Sequence, residues 1–93
     1  MSYNAPAEDI LRSLGQVVRI RRLELQQSQE TLAFRAHLHR THITAIENGR
    51  HSISLRKLVL LADALELDVL ELLQRAVSAL PEPGVTPVQQ AGE

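Results

Sequence analysis

Short helical runs, each bounded by a residue that starts or stops a helix, constrain this 93-residue chain more than any other feature. Pro6 suits a first helical turn, and Glu8 and Asp9 complement the positive end of the helix that follows. Ile10, Leu14, Val17, Val18 and Leu25 keep a roughly helical spacing, which predicts a first helix over about 7–25. Ser28 can cap a second helix that carries Leu32, Ala33 and Ala36 inward until His37, Leu38 and His39 interrupt it. A third, short helix covers about 40–48, and Gly49 ends it by taking a left-handed conformation without steric cost. Ser54 and Asp68 cap two more helices, the last stopping before Pro81. No segment has the alternation of a strand, so the fold class is all-α with five helices.

The third helix has an unusual division of labour. Only Ile43 and Ile46 face a core, which leaves Arg40, Thr41, His42, Thr44 and Ala45 on the outer surface. A face of that kind stabilises nothing by burial, so it is available for recognition.

Composition narrows the remainder. Apolar residues make up 44% of the chain, with one Phe, one Tyr and no Trp, so the core is aliphatic. There is no cysteine, hence no disulfide framework, and no apolar run approaches the roughly 20 residues that span a bilayer. The N-terminus lacks the basic and apolar regions of a signal peptide, so a soluble, cytoplasmic protein without membrane association is expected. Residues 1–6 read as a flexible N-terminus and residues 7–80 as one domain. The stretch 81–93, with three prolines and two glycines, reads as a disordered tail.

The net charge of −1 conceals an asymmetry. Residues 10–57 hold nine Lys or Arg against three Glu, a balance of +6, whereas residues 58–93 hold one Arg against six acidic residues, a balance of −5. Glu8 and Asp9 supply the remaining −2. The basic half is the one that carries the polar third helix, a pairing that fits a polyanionic partner.

Two short helices joined by a tight turn, the second with a polar outer face, match the helix-turn-helix motif. The segment 14–73 resembles the Cro and phage-repressor-like helix-turn-helix family through Leu14-Gly15, Arg22, Ser28-Gln29, Leu32-Ala33, Ile43, Ile46-Glu47, Gly49 and the apolar run from Leu58 to Leu65. The run "RTHITAIENGRHSISL" looks especially like the controller proteins of restriction-modification systems. The resemblance implies a compact, lambda-repressor-like domain that binds double-stranded DNA and regulates transcription. It further implies a structural ion pair between Arg22 and Glu47. Phosphate contacts fall at Gln29, Asn48 and Arg50, with Arg35 and His51 as additional ones. Base readout is expected from Arg40, Thr41 and Ala45, with His42 and Thr44 beside them. Gln26, Gln27, His37, His39 and Ile53 depart from the family pattern. Gln26 and His37 stand where glycines commonly end helices, so either they take left-handed backbone at a cost of about 1 to 2 kcal/mol or the turns are reshaped.

The histidines at 37, 39 and 42 do not form a metal site in this reading, because zinc needs a fourth ligand and oriented partners, and no cysteine helps. No nucleophile constellation, phosphate loop or carboxylate pair stands out, so neither enzyme activity nor a cofactor is expected. The last helix carries Val69, Leu70, Leu73, Val77 and Leu80, more apolar surface than one side of a helix needs. That excess predicts a homodimer, whose two third helices could enter successive major grooves. A protein-interaction module or antitoxin-type partner, docking another protein through the same apolar helix at 69–80, is the alternative.

Overall fold

The computed structural model describes residues 6–50 and 52–80. Five helices fold in the order α1 (Ala7–Glu24), α2 (Gln29–Ala36), α3 (Arg40–Glu47), α4 (Leu55–Ala64) and α5 (Val69–Ser78). No strand occurs among the described residues. The 81–93 segment, and all but Pro6 of the N-terminal one, lie outside the described residues.

Three of the five helices begin on a side-chain cap. Ser28, Ser54 and Asp68 sit in extended backbone and accept from the N–H of Thr31, Lys57 and Glu71, each satisfying one otherwise unpaired donor. Pro6 is the residue before the first helical one, and its carbonyl accepts from Asp9 and Ile10. His39 stands at the same position of α3 and makes no side-chain cap bond. Helix α3 ends at Glu47 and α5 at Ser78, a residue or two earlier than the apolar spacing alone indicates.

The turns are not reshaped. Gln26 (φ 57°), His37 (φ 58°) and Glu66 (φ 62°) all adopt left-handed backbone, as does Gly49 (φ 69°). The closing hydrogen bonds hold them there: Leu38 N–H reaches the Ala33 carbonyl, Leu67 N–H the Ala62 carbonyl, and Gln27 N–H the Arg22 carbonyl. Tertiary packing thus offsets a local penalty of about 1 to 2 kcal/mol at each non-glycine site.

Val18, Leu32, Ile43, Leu61, Leu65 and Leu72 are completely enclosed, so every helix sends at least one large aliphatic side chain into a common core. Each such burial is worth about 1.5 to 3 kcal/mol. Helix α1 lies against α3 and α5, and α2 lies against α3 and α4. The Ser13 hydroxyl donates to the Ala76 carbonyl at 2.6 Å, fastening α1 to α5 inside the core. Arg21, one of the basic residues, donates through Nε to the Leu65 carbonyl at 2.9 Å and so closes the end of α4. No described helix is long and apolar enough to cross a membrane.

The apolar excess on α5 proves narrower than its sequence implies. Leu72 is fully buried, while Val69 and Leu73 are partly buried against the core. Leu70 and Val77 stay 63% and 52% exposed, about two turns apart on the same open face. Leu70, Leu73, Gln74, Val77 and Ser78 together line a shallow apolar depression.

Candidate nucleic-acid interface

The interface is organised by an ion pair beneath it. Arg22 of α1 grips Glu47 of α3 with Nε at 2.6 Å from Oε2 and an Nη at 3.1 Å from Oε1. The other Nη donates to the Gln27 carbonyl at 2.9 Å, so the guanidinium is satisfied on three sides. Both side chains are almost wholly buried, and the Glu47 hydrogen bond raises the Arg22 pKa above its ordinary value, against the opposing effect of burial. The pair fixes the end of α3 on α1 while its charges cancel, leaving no net charge under the surface.

Gln29 continues the network. As the first residue of α2 it donates from Nε2 to Glu47 Oε1 at 3.1 Å, and its Oε1 lies 3.1 Å from the Thr44 hydroxyl. The two helices flanking the tight turn are therefore joined by side chains as well as by the core. Around this network a cleft opens, lined by Gln16, Arg19, Ile20, Gln29, Glu47 and Asn48. A second recess, lined by Ser28, Gln29, Glu30 and Arg40, adjoins it at the start of α3. Gln29 belongs to both, so it stands between the end of α3 and its beginning.

On α3, Arg40 and Thr41 are exposed, whereas His42, Thr44 and Ala45 are half-buried. The His42 ring is tilted against His39, with centroids 6.0 Å apart. Asn48 is exposed just past the helix, followed by Gly49 and the exposed Arg50. His51 lies outside the described residues.

The structure also sorts the basic residues. Arg12 pairs with Asp9 at 2.7 Å, Arg21 and Arg22 serve the framework, and Arg35 reaches Glu66 at a loose 3.9 Å. Arg35 therefore points toward the α4–α5 turn and is not gathered into the cleft with Gln29 and Asn48. Among the described residues, Arg19, Arg40, Arg50, Arg56 and Lys57 take part in no ion pair. Arg19 and Gln16 were not singled out by their sequence. Their only signal was the i, i+3 spacing that puts both on one face of α1, and nothing in one dimension says that this face meets α2 and α3. No group of three or more His, Cys, Asp or Glu able to hold a metal occurs among the described residues.

Two short helices locked at a tight turn, the second offering a polar face beside unpaired cations, define a helix-turn-helix DNA-binding protein. The helix-turn-helix family profile matches residues 18–72, and the chain belongs to that family, as a regulator of the Cro and phage-repressor type and not an enzyme. The restriction-modification controller protein C.AhdI from Aeromonas hydrophila is similar at 39% identity, over 67% of this chain and 94% of that one, with a TM-score of 0.65. The wild-type controller protein C.Esp1396I is 29% identical over 74% of this chain and 94% of that one, with a TM-score of 0.65. The clp gene regulator ClgR from C. glutamicum shares the fold, with a TM-score of 0.72 at 22% identity over 78% of this chain and 95% of that one. A sequence comparison with curated proteins found no match.

Proposed function

We propose that this protein is a dimeric, sequence-specific transcriptional regulator of the restriction-modification controller type, acting in the cytoplasm on an inverted-repeat operator. The observation that carries the reading is the cleft that joins Gln29, at the start of α2, to Asn48, at the end of α3, with Arg19 on its rim. Phosphates of one strand would meet this cleft, the first N–H groups of α2 supplying donors and the positive helix end favouring the anion. Asn48 and Arg50 hold the backbone at the far end of α3, with His51 and Arg35 as outlying contacts. These groups set the register.

Base readout falls to the exposed start of α3. Arg40 can donate two hydrogen bonds to O6 and N7 of guanine, a contact worth about 1 to 3 kcal/mol of discrimination. Thr41 and Ala45 can touch a thymine methyl, and His42 and Thr44 flank them. Leu70 and Val77 on α5, with Leu73 beside them, supply an apolar surface that a two-fold dimer would cover, Val69 and Leu80 joining it. Two half-sites bound by one rigid object also raise affinity without any new contact. The same α5 face favours a second reading, in which a partner protein docks there and α3 plays no part in recognition.

Enrichment of bound duplexes from a random DNA pool at about 150 mM salt tests the proposal. The expected result is an inverted repeat with half-sites about 10 base pairs apart, or a multiple of that, in which Arg40→Ala blurs one position of each half-site. Sedimentation of the free protein should give a dimer that Val77→Asp dissociates. Absence of any enriched sequence, with a monomer in solution, would leave the partner-protein reading standing instead.

A further inference from the structure

Thr44 holds the one hydroxyl on α3 that faces α2. Its Oγ1 lies 3.1 Å from Gln29 Oε1 and 3.2 Å from the Arg40 carbonyl, and a single proton must choose between two acceptors. Chemistry makes the choice. Glu47 is bound by Arg22 through both carboxylate oxygens and only accepts, so the group of Gln29 that stands 3.1 Å from it has to be the amide NH2. The amide oxygen is thereby turned to Thr44, and that oxygen also only accepts. The Arg40 carbonyl already has a helical N–H, since in an α-helix it receives the one four residues on, whereas the Gln29 oxygen has no other donor among the described residues. The Thr44 proton therefore goes to Gln29. The result is a directional chain in which Arg22 donates to Glu47, Gln29 donates to Glu47, and Thr44 donates to Gln29.

Each end of the Gln29 amide makes one bond across the α2–α3 junction, which fixes its orientation and leaves its second N–H and one oxygen lone pair over. Its backbone offers donors as well. Ser28 satisfies the N–H of Thr31, and the N–H groups of Gln29 and Glu30 are among those a first helical turn leaves without an internal partner. We infer that Thr44 is a positioning residue for DNA reading: with Glu47 it makes the Gln29 side chain a strut that sets the angle of α3 against the start of α2. This inference rests on the DNA-reading function proposed above and assigns that interface its internal geometry.

The test compares Thr44→Val, which keeps the shape and removes the hydroxyl, with Thr44→Ser, which restores it. In the DNA-free protein, Thr44→Val should shift the Gln29 side-chain amide signal in a nitrogen-proton spectrum, and Thr44→Ser should return it toward wild type. On the duplex selected from the random pool, Thr44→Val should weaken binding about threefold to tenfold, the usual worth of one hydrogen bond. The loss should be spread over all positions of the half-site, with the salt slope unchanged because no phosphate contact is lost. An unmoved Gln29 signal overturns the strut. A salt slope reduced by about one unit makes Thr44 a phosphate contact, and a loss confined to one base pair makes it a reader, and either result overturns the inference. If wild-type protein binds no duplex at all, the DNA-reading function itself fails and this role falls with it, whatever the Gln29 signal shows.

Discussion

Gly15 of α1 is pressed against the backbone carbonyl of Ile46 in α3. A Cβ at that position would sit well inside contact distance of the Ile46 oxygen and 2.8 Å from the Glu47 oxygen. Neither obstacle is a flexible side chain, so the helices would have to part, and parting them also strains the Arg22–Glu47 pair about two turns further along α1. Gly15→Ala should destabilise the fold by about 2 kcal/mol or more despite its better helix propensity, which favours alanine by about 1 kcal/mol. Thermal denaturation followed by circular dichroism checks this, and an unchanged midpoint would refute the close approach.

Removal of Arg22 strands a buried carboxylate. Arg22→Met should cost about 3 to 5 kcal/mol, because Glu47 keeps only the Gln29 amide as partner while its side chain is 4% exposed. The Glu47 bond raises the Arg22 pKa, so the stabilisation through Arg22 ionisation is fully present below the unfolded arginine value and fades only as pH climbs through the folded one. Both lie far above neutrality. The stability gap between wild type and Arg22→Lys, in denaturant melts, should therefore stay flat between about pH 6 and about pH 9.

Gln27 is a buried polar residue with unfinished bonding. Its Nε2 reaches the Ala64 carbonyl at 3.4 Å, and its Oε1 has no hydrogen-bond partner among the described residues. Gln27→Met keeps the length of the side chain and removes the orphaned oxygen, so it should stabilise by about 1 kcal/mol. For a domain of this size that is a melting point higher by about 4 to 8 °C in calorimetry.

His37 ends α2 in left-handed backbone, with φ 58° and ψ 40°. His37→Gly relieves the Cβ clash of that conformation but adds freedom to the unfolded chain, and the net gain should be about 1 kcal/mol. Chemical denaturation should show a higher midpoint at an unchanged slope. A lower midpoint would mean that the imidazole makes a contribution of its own.

Arg19 should behave as a phosphate contact. In Arg19→Gln, affinity should fall to a similar degree for the selected duplex and for an unrelated one, and the slope of log affinity on log salt should shrink by about one unit. Arg40→Ala should instead hurt the selected duplex most. A variant at Arg19 that changed base preference would move this residue from the backbone to the groove.

Much of this protein is local in origin. Ser28, Ser54 and Asp68 cap their helices because a short acceptor side chain beside the first turn meets an unpaired N–H, and that depends on neighbours three residues away. The helix spacing, the polar face of α3 and the basic half of the chain belong to the same category. Arg22 and Glu47 stand 25 residues apart, and nothing but family resemblance could pair them before the fold brought α1 and α3 together. The left-handed turns at Gln26, His37 and Glu66 were decided by packing, since local preference disfavours all three and the burial of Gln27, Leu38 and Leu67 just beyond them, complete or partial, outweighs it. Tertiary structure alone turned Arg35 toward Glu66 and drew Arg19 into the cleft. It also assigned Thr44 to Gln29, because charge and spacing are properties of a sequence whereas the direction of a side chain belongs to the surface that several helices make together.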